Sequence, residues 1–194
     1  MWAQTLLLFG LLHFVNASNL FYIYDWPESV VDVTPKAFTH HRLSMTADFL
    51  DNNGLGRVVD EKQGLYHTHQ YSLFLTFMAR LKESPYRTLD PEHASLFFVP
   101  YDLGMDSSTR QNDGALASTR CPHMKEAYTL LEESKYFQRK QGQDHFILHS
   151  INQMMLYYTP EKCLELYKLC FDCVKLGIDS YTEKHYRELQ VHKY

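Results

Sequence analysis

The sequence predicts a three-layer α/β lobe built on a mainly parallel sheet, and three observations carry that prediction. Four short apolar runs, at residues 20–25, 95–99, 145–149 and 174–178, read as strands covered on both faces. Amphipathic helical patterns stand between them. No internal repeat offers a competing architecture. A chain of 194 residues with 45% apolar content suffices for one ordinary domain, or for one lobe of something larger.

Each element follows from its local pattern. "LFYIYD" is a continuous apolar run stopped by Trp26-Pro27, as expected of a buried strand. Residues 28–64 lack sustained periodicity and carry Pro35 and the turn-prone "DNNG", so loop with short helical pieces is expected. Over 66–82, Tyr66, Tyr71, Phe74, Phe77, Met78 and Leu81 recur at three-and-four spacing, which predicts an amphipathic helix ended by Ser84-Pro85. "PEHASLFFVP" delivers a second strand closed by Pro100, and the Gly-, Ser- and Asp-rich residues 103–120 read as an exposed loop. A second helix is expected over 122–136, and a third strand, 145–149, after Gly142. Thr159-Pro160-Glu161 reads as cap, first-turn proline and acid of a third helix reaching Cys170, and a fourth strand ends at Asp179.

The ends and the composition narrow the class. "TLLLFGLLHFV" followed by Val15-Asn16-Ala17 reads as a secretory signal over residues 1–17, or a short membrane anchor if uncleaved. Four cysteines, Cys121, Cys163, Cys170 and Cys173, suit an oxidising compartment and allow three pairings; buried thiols remain an alternative. Cys170 and Cys173 have the spacing of half a zinc site, but no second pair completes it, and no metal is expected. The formal charge of −4 is spread without a basic run, which argues against nucleic acid as a partner.

In open parallel sheets ligands bind beyond the carboxyl ends of the strands. The predicted strands end in Asp25, in Tyr101-Asp102, in His149-Ser150 and in Asp179. We therefore expect these groups along one solvent-open rim, with His149 as the candidate catalytic base and Asp25, Tyr101, Asp102 and Asp179 as substrate-binding residues. Polar turn residues at strand ends are also what solvent demands of any buried strand. Asp144 and His145 lie at the opposite edge and are expected to fasten a loop by hydrogen bonds.

Three segments, "FYIYDWP", "SPYRTLDPEHASLFFVPYD" and "YFQRKQGQDHFIL", stand in the order found in the exostosin family of glycosyltransferases, and the chain resembles that family over about residues 20–180. Arg87, Asp90, Pro91 and Glu92 match the family's turn, and Asp144 and His145 its Gly-x-Asp-His-Phe strand; where many members have a glutamate after the Tyr66 position, this chain has His69. The resemblance implies a Rossmann-like lobe, the N-terminal half of a two-lobed GT-B glycosyltransferase of the Golgi lumen or membrane. It further implies a nucleotide-sugar donor, a glycan acceptor and a second, donor-binding lobe that is missing from this chain or separate from it. No Gly-rich phosphate loop or other cofactor site is identifiable in the chain itself. The alternative function is a secreted lobe that binds carbohydrate or a partner without chemistry, using aromatics such as Trp26 and Tyr101.

Overall fold

The computed structural model describes residues 20–31, 49–69, 72–108, 121–150, 159 and 161–177. Strand β1 is Phe21–Ile23, followed by the short helix α1, Glu28–Val31. A hairpin of β2, Val58–Asp60, and β3, Leu65–Tyr66, precedes helix α2, Leu73–Lys82. Then come β4, Arg87–Thr88, a 3-10 turn at Pro91–His93, β5, Leu96–Val99, and α3, Leu103–Ser108. Helices α4, Met124–Glu132, and α5, Lys135–Gln138, lead to β6, His145–His149. A 3-10 turn at Glu161–Leu164, helix α6, Glu165–Leu169, and β7, Val174–Gly177, complete the described elements.

The main sheet has the order β4-β1-β5-β6-β7, with every pairing parallel. All four predicted strands are present, and register aligns Tyr22 with Phe97 and Phe97 with His145. Because side chains alternate across a strand, each strand feeds two cores. Phe21, Ile23, Phe98 and Leu148 pack under α2 against Phe74 and Met78. On the other face Phe97, Val99 and Ile147 pack against Met124, Ala127 and Leu131 of α4 and Leu166 and Tyr167 of α6. Burial on both faces explains why β1, β5 and β6 read as apolar runs rather than as alternating ones, whereas β7, expected to be covered in the same way, is an edge strand with Val174 53% exposed.

Several local expectations need correction. The helix expected from residue 66 begins at Leu73, because Leu65 and Tyr66 pair antiparallel with Val58 and Asp60 instead. That hairpin is closed by the Gln63 N–H donating to Asp60 Oδ1 at 3.1 Å and by Gly64 at φ 64°. The helix expected over 122–136 breaks at Ser134, whose extended backbone and side-chain oxygen, accepting from the Tyr136 N–H, start α5 afresh. Residues 103–107, expected in an exposed loop, are the buried part of α3. Leu96, expected in the core, is 42% exposed: it opens β5, where α2 does not cover it. The charged turn before β5 also supplies a strand of its own, since Arg87 and Thr88 pair with Phe21 and Tyr22.

The cysteines close two disulfides, Cys121–Cys163 and Cys170–Cys173, leaving no free thiol among them. The first ties the start of the α4 segment to the turn before α6. The second packs on Gly142, at φ +89°, where an added Cβ would lie 2.9 Å from Cys173 Sγ. Among the described residues no helix is long and apolar enough to cross a membrane.

Candidate functional site

The carboxyl ends of β1, β5 and β6 lie on one edge of the sheet, as parallel pairing requires. Asp25 follows β1 and is exposed. Tyr101 and Asp102 follow β5, and His149 ends β6. Asp179 falls outside the described residues.

The expectation of a uniformly solvent-open rim is corrected by burial, because Tyr101, Asp102 and His149 are all 1% exposed or less. The cause is α3. After Pro100 the chain turns back instead of leaving the sheet, and buried Leu103 and Met105 bring this helix over the strand ends. Asp102 and Ser150 meet there: the Ser150 hydroxyl donates to Asp102 Oδ1, the Met105 N–H donates to the same oxygen at 3.2 Å, and the Gly104 N–H donates to Ser150 Oγ at 3.0 Å. Tyr101 donates its hydroxyl proton to Asp106 Oδ2 at 2.7 Å, and the backbone N–H of His123 donates to that oxygen at 3.2 Å. His123 Nδ1 lies 2.7 Å from Asp106 Oδ1. Asp106, His123 and Ser150 were not picked out as site residues from the sequence; the signal available was Asp106 four residues beyond Asp102, one helical turn.

Burial sets the charge states. It pushes the Asp102 carboxyl up to about 7, against the opposing hydrogen bonds from Ser150 and from the Met105 and Gly104 backbone. Burial pushes the Tyr101 hydroxyl well above its usual range, and the Asp106 carboxylate adds to that. The His149 imidazole is lowered to about 3 by burial and then by the nearby Lys175 ammonium, so it is neutral at physiological pH. Its ring meets Tyr167 edge-on at 4.2 Å.

At the amino edge, Asp144 and His145 are joined in a different network. His145 stacks against Phe97 at 5.1 Å and Tyr24 at 5.7 Å. With its Nδ1–H donating to Asp144 Oδ1 at 2.8 Å, Nε2 accepts from the Tyr24 hydroxyl at 2.7 Å, and that hydroxyl also lies 2.9 Å from Ser134 Oγ. Arg139 donates through Nε and Nη2 to Asp144 Oδ2, at 3.1 and 2.9 Å, with its guanidinium over the Phe97 ring. Burial pushes Asp144 up, but the Arg139 and His145 contacts outweigh it and hold the carboxyl below its usual range. Glu92 accepts from Lys135 Nζ at 2.7 Å and from the Tyr136 hydroxyl at 2.8 Å. These residues fasten the turn before β5 to α5 and the start of β6.

Asp25 opens instead onto a cleft of about 590 Å³ beside β1, whose walls include Tyr22, Trp26, Glu28, Lys82 and Arg87. Phe74, Leu75 and Met78 of α2 also line it. Among the described residues no group of three His, Cys, Asp or Glu side chains is placed to hold a metal ion.

Comparison with known proteins supplies the family. The chain is 27% identical over 140 residues to the xyloglucan galactosyltransferase XLT2 of Arabidopsis thaliana, a match covering 67% of this chain and 27% of that protein. It is 31% identical over 116 residues to the probable xyloglucan galactosyltransferase GT19, covering 57% and 26%, and 26% identical over 134 residues to xyloglucan-specific galacturonosyltransferase 1, covering 68% and 20%, both also of Arabidopsis thaliana. The matched regions thus span about a quarter of the length of these relatives. No solved structure matches the chain. The exostosin GT47 domain matches residues 18–166, and the chain belongs to the exostosin family.

Proposed function

We propose that this chain forms the acceptor side of a glycosyltransferase that moves a sugar from a nucleotide sugar to a hydroxyl of a polysaccharide or glycoprotein glycan. The observation that carries this reading is the placement of Asp25, an exposed carboxylate just beyond the carboxyl end of the parallel strand β1, in the lining of a cleft. Membership of the exostosin family supports the reaction class.

The transfer breaks the donor's anomeric C–O bond and forms a new one to the acceptor oxygen. The nucleoside diphosphate leaves with the bonding electrons, and the acceptor hydroxyl gives up its proton. Asp25 is the group we assign to receive that proton, since general bases must reach the hydroxyl and Asp25 is open to the cleft. His149 is enclosed and neutral, and Asp102 is closed off by Ser150 and α3, so both hold the edge in shape rather than reach the substrate. Stabilising the departing diphosphate requires cationic or dipolar groups. We assign these to a second, donor-binding lobe. The two disulfides support a secretory-pathway location, with the Golgi as the finer reading and residues 1–17 as signal or anchor.

Transfer of labelled sugar from a panel of nucleotide sugars to oligosaccharide acceptors tests the reading. Background turnover by the 194-residue chain alone, and donor-dependent product once a donor-binding lobe is joined to it, are expected. The second reading, a lobe that binds a glycan or a partner without chemistry, loses the stacking aromatics expected for it, because Trp26 and Tyr101 are both buried, and any such binding falls to the cleft beside β1. Glycan binding with no transfer under any of these conditions would select it.

A further inference from the structure

We propose that the apolar groove beside α2, over the outer half of the main sheet, is the seat of a helix formed by this chain's own residues 181–194. Nothing in the transferase reading bears on this groove, which lies on the flank of α2 away from the cleft.

Cover on the α2 face of the sheet falls away from one strand to the next. Residues in register share a face, and across one row Ile23 and Phe98 are buried, Phe146 is half-buried and Val174 is 53% exposed. In the following row Leu148 is buried and its partner Leu176 only half-buried. The opposite face of β5 and β6 is sealed, since Val99 and Ile147 are fully buried in the core under α4 and α6. The difference comes from α2, which lies over β1 and β5. Its flank toward β6 carries Leu73, Phe77 and Leu81, spaced one turn apart and each half-buried. The Phe77 ring stands 5.5 Å from Phe98, and Phe98 stands 5.0 Å from Phe146. That ridge is the wall of the groove, and Phe146, Leu148, Val174 and Leu176 are its floor. Among the described residues, the apolar side chains that cover this face come from α2 and from Val31 of α1. Packed helices lie about 8–10 Å apart and paired strands about 4.8 Å, so the next helix position is two strands over from α2, above β6 and β7.

The segment that follows β7 has the pattern this position needs. β7 ends at Gly177 on the border of the groove. Ser180 and Glu183 have the spacing of a capping box, which starts a helix at Tyr181, and residues 178–194 contain neither glycine nor proline. Tyr181, His185 and Leu189 recur every four residues, with Tyr186 beside them. Glu183, Lys184, Arg187 and Glu188 fall on the other side, where Glu183 with Arg187 and Lys184 with Glu188 make pairs of opposite charge one turn apart. Ile178–Ser180 is a connection of ordinary length between a strand and a helix packed back on its sheet. A helix over 181–194 is about 21 Å long, enough to cover strands of roughly 13–17 Å.

A second copy of the chain is the competing occupant. Tethering decides against it: the segment begins at the groove itself, at a far higher effective concentration than another copy reaches in dilute solution.

The test is hydrogen exchange of the 194-residue chain read by mass spectrometry, with size-exclusion chromatography of the same samples. Amides of residues 185–194 are expected to exchange at least about tenfold more slowly than in a free peptide of the same sequence. Val174 is exposed, so Val174→Asp changes the floor without opening the core, and Leu189→Asp changes the apolar stripe. Each should bring exchange in 185–194 to within about twofold of the free peptide, while the amides of β5 and β6 stay protected. Lys184→Gln, on the charged side, should leave the segment slow. Free-peptide rates in the unaltered chain overturn the proposal. Slow exchange that Val174→Asp leaves unchanged places the segment on another surface and overturns it equally. Protection found only at concentrations where the chain elutes as a dimer overturns it in favour of a second copy.

Discussion

The Ser150 hydroxyl donates a hydrogen bond to Asp102, joining the ends of β5 and β6 across 48 residues of sequence in the interior of the protein. This bond, with the Met105 and Gly104 amides that converge on the same pair, lets a carboxyl group sit beneath α3 where water cannot reach it.

Ser150→Ala removes a donor from a buried carboxyl and an acceptor from the Gly104 N–H. Groups left unmatched in the interior cost more than a typical hydrogen bond returns, so a loss of about 1–3 kcal/mol is expected. Urea unfolding of the variant against wild type measures it; an unchanged midpoint would mean that Asp102 and Gly104 find other partners.

The opposed shifts of Asp102 and His149 make a pH signature. Asp102 is raised to about 7 from 3.8, so between those values the folded chain holds a proton that the unfolded chain has lost, and this stabilisation fades as pH rises. His149 is lowered to about 3 from 6.5, so below pH 6.5 the unfolded chain holds a proton that the folded chain refuses, and stability falls as pH falls. The two slopes cancel between about pH 4 and 6.5. Asp102→Asn removes one of them. Going from pH 6.5 to pH 5, the variant is expected to lose about 1.5 kcal/mol more than wild type in denaturant titrations. Parallel pH profiles would show that Asp102 is charged in the folded protein.

The disulfides should contribute unequally. Cys121–Cys163 spans 42 residues and Cys170–Cys173 spans 3, and constraint of the unfolded chain grows with loop length. Replacing the first pair by serine is expected to cost about 4 kcal/mol and the second about 1.5 kcal/mol. Equal costs in thermal unfolding would point to native-state packing of Cys173 on Gly142 as the larger contribution of the short one.

The sheet was legible because its central strands are covered on both faces, so Phe97, Phe98 and Val99 appear as an apolar run whatever the loops do. Leu96 misleads for the same reason: an apolar residue at the start of a run looks like its neighbours, and only the position of α2 decides its exposure. Tyr66 fits a helical stripe by spacing alone, whereas its pairing with Val58 depends on the turn at residues 61–64. The strand-end rule placed Asp25, Tyr101, Asp102 and His149 on one edge. It could not say which of them reach solvent, because that depends on α3, whose Gly- and Ser-bearing sequence resembles a loop. The Arg139–Asp144–His145–Tyr24 network joins residues up to 121 apart, and although its members lie in the segments "FYIYDWP" and "YFQRKQGQDHFIL", nothing in the sequence said that they meet.

The most direct test of the account is the rate of sugar transfer from nucleotide sugar to an oligosaccharide by the chain joined to a donor-binding lobe, for wild type, Asp25→Asn and His149→Gln. A general base contributes about 10²- to 10⁴-fold, so Asp25→Asn should lower kcat by at least about a hundredfold, while His149→Gln affects stability more than turnover. Full turnover by Asp25→Asn, or loss of turnover in a folded His149→Gln protein, would contradict the assignment of the open edge of β1 as the place where the acceptor reacts.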